Sequence, residues 1–109
     1  MQSWISQLRK GLTELMVLGI LRQRESYGYE ILQRLRVVNA LEMGESTLYP
    51  LLARLTRDGL LESRTVLSAS GPPRRYYRLT PQGEAMLGQM EAHWTELNLT
   101  IRSLLEATE

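Results

Sequence analysis

Leu48, Leu51, Leu52 and Leu55 fall at i, i+3, i+4 and i+7, which predicts one apolar face of a helix over residues 46–58. Ser46 is its expected N-cap, and Gly59 is the expected residue of positive φ that ends it. The opposite face carries Ser46, Thr47, Tyr49, Pro50, Ala53, Arg54 and Arg57. Pro50 is tolerable if the helix starts near Ser46, because a missing N–H costs little in a first turn. Short hydroxyls and arginines on an exposed helix face suit the floor and walls of a DNA major groove. They also suit an ordinary solvated surface.

Residues 3–24 predict a first helix. Trp4, Ile5, Leu8, Leu12, Leu15, Met16, Val17, Leu18, Ile20 and Leu21 are too many for one stripe. A helix apolar on more than one side needs more than one partner, here its own domain and another subunit. Arg9 and Lys10 lie on its polar remainder, placed for phosphates or for solvent. A second helix runs from Ser26 or Tyr27 to Val38, with Ile31, Leu32 and Leu35 inward and Arg34 and Arg36 outward. Gly28 is expected to let the first helix approach closely. Asn39 to Gly44 connects this helix to the third, which makes a helix-turn-helix.

Beyond Gly59 the spacing changes from helical to alternating. Leu60 to Leu67 predicts a strand, Ser68 to Pro73 a turn, and Arg74 to Leu79 a return strand. Alternation sets Arg75, Tyr77 and Leu79 on one side and Arg74, Tyr76 and Arg78 on the other. A basic hairpin after a helix-turn-helix is a wing, able to lie along phosphates or enter a minor groove. The same arginines could instead stack on the neighbouring tyrosines in solvent.

Thr80 then reads as an N-cap, with Pro81 at N1 and Gln82 and Glu84 in the first turn of a last helix. Leu87, Met90, Trp94, Leu97, Ile101 and Leu104 follow at spacings of 3, 4, 3, 4 and 3, an a/d seam. A helix of ~28 residues would be ~42 Å long, more than so small a body covers. The seam therefore predicts a homodimer interface. The reading is mainly α with a two-stranded β-wing. Residues 1–79 form a winged helix-turn-helix DNA-binding part and residues 80–109 a dimerisation helix, as one compact unit.

Charge sharpens this division. Residues 1–79 hold 12 of the 13 basic residues against 7 acidic ones, whereas residues 80–109 hold Arg102 against five glutamates. A basic body with an acidic tail is expected when only the body faces a polyanion. Cysteine is absent, which removes disulfides, thiol nucleophiles and thiolate metal sites. His93 is the single histidine and has no companions for metal or catalytic chemistry. No catalytic residue, metal or cofactor is expected. The N-terminus lacks a signal-peptide core and no apolar run spans a bilayer, so a cytoplasmic, membrane-free protein is expected.

Three blocks of sequence resemble the PadR family of bacterial transcriptional regulators in its short form. The first is Leu8-Arg9-Lys10-Gly11 with Tyr27-Gly28-Tyr29-Glu30-Ile31. The second is Thr47-Leu48-Tyr49-Pro50-Leu51-Leu52 with Arg54-Leu55 and Gly59-Leu60-Leu61. The third is Gly71-Pro72-Pro73-Arg74-Arg75-Tyr76-Tyr77-Arg78-Leu79-Thr80 with Gly83. The resemblance implies a homodimer on a twofold-symmetric operator in double-stranded DNA. It also implies repression relieved by phenolic acids, drugs or other small molecules. The chain departs from the family pattern at Ser46, Thr56 and Thr65, where Gly, Glu and Trp are common. These positions bear on operator sequence and wing packing.

The expected DNA contacts are Lys10, Ser46, Thr47, Tyr49, Arg54, Arg74 and Arg75. Leu8, Leu15, Trp94 and Leu97 are candidates for an interface pocket that takes a planar aromatic effector, with paired indoles as its walls. A sensor acting mainly through that pocket, or a winged-helix module that binds protein rather than DNA, are the alternatives.

Overall fold

The computed structural model describes residues 2–39 and 44–106. Its elements in chain order are α1 (Gln2–Gln23), β1 (Ser26–Tyr27), α2 (Gly28–Asn39), α3 (Glu45–Arg57), β2 (Leu61–Ser68), β3 (Gly71–Leu79) and α4 (Pro81–Glu106). Most of the α2–α3 connection lies outside the described residues.

The core is assembled from one stripe per element. Val17, Leu18 and Leu21 of α1 meet Ile31, Leu32 and Leu35 of α2 and Leu48, Leu52 and Leu55 of α3. Leu61, Tyr77 and Leu87 close it from β2, β3 and α4. Each stripe repeats at three or four residues, as burial of one helix face requires. The N-terminal half of α1 is not part of this core, and Trp4 and Leu8 stand exposed.

The hairpin carries a third strand that the periodicity did not show. Ser26 and Tyr27 pair antiparallel with Tyr77 and Tyr76, so the strand order is β1-β3-β2. These two residues therefore precede α2 instead of opening it. Ser26 is buried, and its hydroxyl donates to the Arg24 carbonyl at 3.2 Å. The Tyr27 N–H donates to Glu30 Oε1 at 3.2 Å, so a carboxylate three residues into the turn satisfies the amide just before α2.

The turn is also shorter than its composition predicts. Ser68 pairs with Gly71, leaving Ala69 and Ser70 as the loop, and the register shifts between Val66 and Ser68. Val66 pairs with Arg74, so Pro72 and Pro73 together oppose Leu67. Prolines have no N–H for a ladder and are accommodated at such a bulge.

Two glycine-dependent joints fix α3 and α4. The Gly59 N–H donates to the Thr56 carbonyl at 3.1 Å and the Leu60 N–H to the Leu55 carbonyl at 3.0 Å, with Gly59 at φ 82°. This is a Schellman closure. Thr80 caps α4 as expected: its hydroxyl accepts from the Gly83 N–H at 3.0 Å and donates to the Gly59 carbonyl at 2.6 Å. A β-carbon at Gly83 would overlap the Leu60 carbonyl, so only glycine lets the start of α4 sit on the end of α3.

α4 leaves the body after about three turns. Leu87 is buried and Met90 packs against the core, but Trp94, Leu97 and Leu104 are 39%, 55% and 72% exposed. The chain measures 64 × 31 × 20 Å along its principal axes.

Candidate nucleic-acid interface

α3 begins one residue before the expected Ser46. Gly44 is its N-cap, and the Gly44 carbonyl accepts from the N–H groups of Thr47 and Leu48 at 3.1 and 3.2 Å. No side chain caps the helix, so the Ser46 hydroxyl is not used in capping. Ser46, Thr47, Pro50 and Ala53 all face outward. The earlier start places Pro50 beyond the first turn. Its missing N–H leaves the Ser46 carbonyl without a helical donor on that outer face.

Tyr49 is only partly on this surface. Its ring packs against Gly28, where a β-carbon would overlap it. Gly28 thus serves the approach of α3, not that of α1 as its position in the sequence predicts. Burial pushes the Tyr49 phenol up from 10.0, and the Glu45 carboxylate pushes it the same way.

The basic residues divide into occupied and unoccupied. Arg54 donates to Glu14 of α1 at 2.9 Å and lies 3.7 Å from Asp58. Arg64 makes a two-pronged pair with Glu25 at 2.8 and 2.9 Å, which holds the Glu25 carboxyl below its ordinary 4.5. Arg78 pairs with Glu62 across the wing, Arg24 with Glu30, and Arg22 with Glu91 between α1 and α4. Arg34 donates to the Ile20 carbonyl and to Gln23.

Among the described residues, Lys10, Arg57 and Arg75 form no ion pair. Lys10 precedes Glu14 by one helical turn, on the same face of α1, and is exposed. Arg57 lies one turn beyond Arg54 on the exposed side of α3. The outer-face pattern contained Arg57, although Arg54 drew the prediction.

The wing's outer face is a stacked box. Tyr27 and Tyr76 meet edge to face with centroids 5.3 Å apart. The Arg74 guanidinium lies 4.5 Å from the Tyr27 ring centre and that of Arg64 5.7 Å from that of Tyr76. Arg74 is therefore partly engaged by an aromatic face, while Arg75 projects from the other side of β3 opposite Thr65. Tyr27 and Arg64 are members that the sequence pattern did not reveal, because strand β1 was not visible in it.

A groove of about 560 Å³ lies between α1, α2 and α4. Leu15, Met16, Gly19, Ile20, Leu35 and Leu87 line it, and Arg22, Gln23, Arg34 and Glu91 stand around them. Of the four candidate pocket residues only Leu15 is part of it. Leu8, Trp94 and Leu97 lie on the exposed faces of α1 and α4 instead. His93 is exposed on α4. Among the described residues no group of three or more His, Cys, Asp or Glu is placed to hold a metal ion.

Residues 17–89 match the model of the transcriptional regulator PadR-like family, a span from α1 to the first turns of α4. The chain belongs to the PadR-like family of transcriptional regulators. A PadR-like transcription factor from Bacteroides fragilis is 44% identical, with TM-score 0.79 over 94% of this chain and 98% of that one. A PadR family regulator from Eggerthella lenta is 36% identical, with TM-score 0.86 over 98% of this chain and 93% of that one. An uncharacterised protein of Lysinibacillus sphaericus is 30% identical over 95% of this chain and 97% of its own length. As PadR-like structures do, this chain combines a winged helix with a long C-terminal helix. No helix among the described residues is long and apolar enough to cross a membrane.

Proposed function

We propose that this PadR-like chain is a homodimeric repressor in the cytoplasm that binds a twofold-symmetric operator and answers to a small aromatic effector. The observation that carries the DNA reading is the outer face of α3. Among the described residues it offers two hydroxyl residues without hydrogen-bond partners at its N-terminal end and Arg57, in no ion pair, near its C-terminal end. Ser46, Thr47 and the exposed edge of Tyr49 then meet base edges. Lys10, Arg57, Arg75 and, in part, Arg74 meet phosphates. Residues 1–79 do this work and residues 80–109 hold the dimer.

The exposed seam supports the dimer. Trp94, Leu97, Ile101 and Leu104 form a stripe on α4 that the chain's own body leaves uncovered. Closing two copies along it brings the two Trp94 side chains near the twofold axis, where paired indoles suit a flat ligand. A binding role, not catalysis, accords with the PadR-like transcriptional regulators that the chain resembles.

Fluorescence anisotropy of labelled duplex from upstream of the gene, against a scrambled duplex, tests this at low and physiological salt. Binding to the upstream duplex that survives physiological salt while the scrambled one is lost supports the reading. Absence of binding by a folded dimer moves the weight to a protein partner.

A further inference from the structure

Arg54 stands on the exposed side of α3, yet its guanidinium is already engaged. One arm donates to Glu14, 40 residues earlier on α1, at 2.9 Å, and the other faces Asp58 at 3.7 Å. Asp58 directly follows α3 and moves with Arg54. Glu14 belongs to a different helix, so it is the partner that ties Arg54 to the rest of the body. Both side chains keep substantial exposure, 45% for Arg54 and 31% for Glu14.

We infer that Glu14 is an intramolecular competitor for DNA phosphate, holding Arg54 in the free protein so that a backbone phosphate must displace it. This rests on the DNA-binding reading above. The planar guanidinium recognises carboxylate and phosphate by the same two-pronged geometry, so one ligand can replace the other without rebuilding the site. An exposed ion pair is weak and screened by salt. A duplex presents a dense line of phosphates, and neutralising one releases bound counterions. The exchange lowers affinity for every duplex by the same step, which restrains loose association with non-operator DNA. Lys10, Arg57 and Arg75 carry no such tether and give the base level of attraction.

The test is an anisotropy titration of a labelled random-sequence duplex over a series of salt concentrations. The proteins are wild type, Glu14→Gln, Arg54→Ala, the double variant, and Glu91→Gln. Glu91 pairs with Arg22 between α1 and α4, so its substitution makes the same change in net charge away from α3. Glu14→Gln should bind about fivefold tighter at physiological salt, the size of a weak exposed ion pair. Its advantage should shrink as salt rises, because salt also weakens the Arg54–Glu14 pair that wild type must break. The gain should vanish in the Arg54→Ala background, and Glu91→Gln should stay near wild type.

Unchanged or weaker binding by Glu14→Gln, in a protein whose thermal unfolding matches wild type, overturns the inference. So does a gain that persists without Arg54 or that Glu91→Gln reproduces, because bulk charge then explains it. Weaker binding with lowered thermal stability also overturns it, and makes Glu14 a positioning residue for α3. A folded wild-type protein that binds no duplex at any salt overturns the DNA reading itself, and the inference with it.

Discussion

The ring of Tyr49 on α3 lies against Gly28 in the first turn of α2, so closely that a β-carbon at position 28 would overlap the ring. One glycine thus sets how α3 sits on its scaffold. Gly28→Ala should gain up to ~1 kcal/mol from helix propensity and lose ~1–3 kcal/mol to overpacking. With the full gain subtracted, the net expected effect is a loss of up to about 2 kcal/mol in a denaturant titration. In a Tyr49→Ala background the clash is gone, so the same substitution should become neutral or stabilising. That change of sign separates ring contact from any general intolerance at position 28.

Unpaired and paired arginines should behave differently toward DNA. Arg57→Ala and Arg75→Ala should each reduce the dependence of log affinity on log salt by about 0.9. Arg78→Ala should change it little, because Glu62 already neutralises that side chain. A salt series on the three variants, each checked for intact folding, reads this directly.

The two ends of the α4 seam should fail in different ways. Leu87 is buried in the chain's own core, so Leu87→Ala should cost ~2–5 kcal/mol of stability. Leu104 is 72% exposed in the single chain, so Leu104→Glu should leave the domain folded while separating the dimer. Light scattering coupled to size exclusion distinguishes a folded monomer from an unfolded chain.

The wing should loosen in acid. Arg64 holds the Glu25 carboxyl below its ordinary 4.5, so the pair contributes stability above that value. The contribution declines as pH falls below it and is gone once pH passes through the lowered folded value. Thermal unfolding of wild type should therefore lose more between neutral and acid pH than that of Glu25→Gln. The effect should be small, because Arg64 is 62% exposed and the pair is solvent-screened.

Much of this architecture was legible because it rests on local spacing. The four-leucine stripe of α3, the Thr80-Pro81 start of α4 and the positive φ of Gly59 all follow from neighbours in sequence. What stayed hidden was set by partners far along the chain. Ser26-Tyr27 is a strand only because Tyr76 and Tyr77 lie beside it, and a two-residue strand has no periodicity to detect. Gly28 looked like a contact for α1 until Tyr49 was seen across it. Arg54 looked free on its helix face because Glu14, its carboxylate, sits on another helix. Ser46 was displaced as a cap by Gly44, whose extended backbone does the same work without a side chain.

In the proposed complex, two copies of α3 read a symmetric sequence through hydroxyl residues at their N-terminal ends. The most direct measurement is selection of bound duplexes from a random pool by wild type and by Thr47→Ala. Wild type should recover two inverted half-sites, centred about 10 base pairs or a multiple apart. Thr47→Ala should keep the spacing but relax one or two symmetric base positions. Recovery of no common sequence by a folded wild-type dimer, or of a single half-site without symmetry, would contradict it.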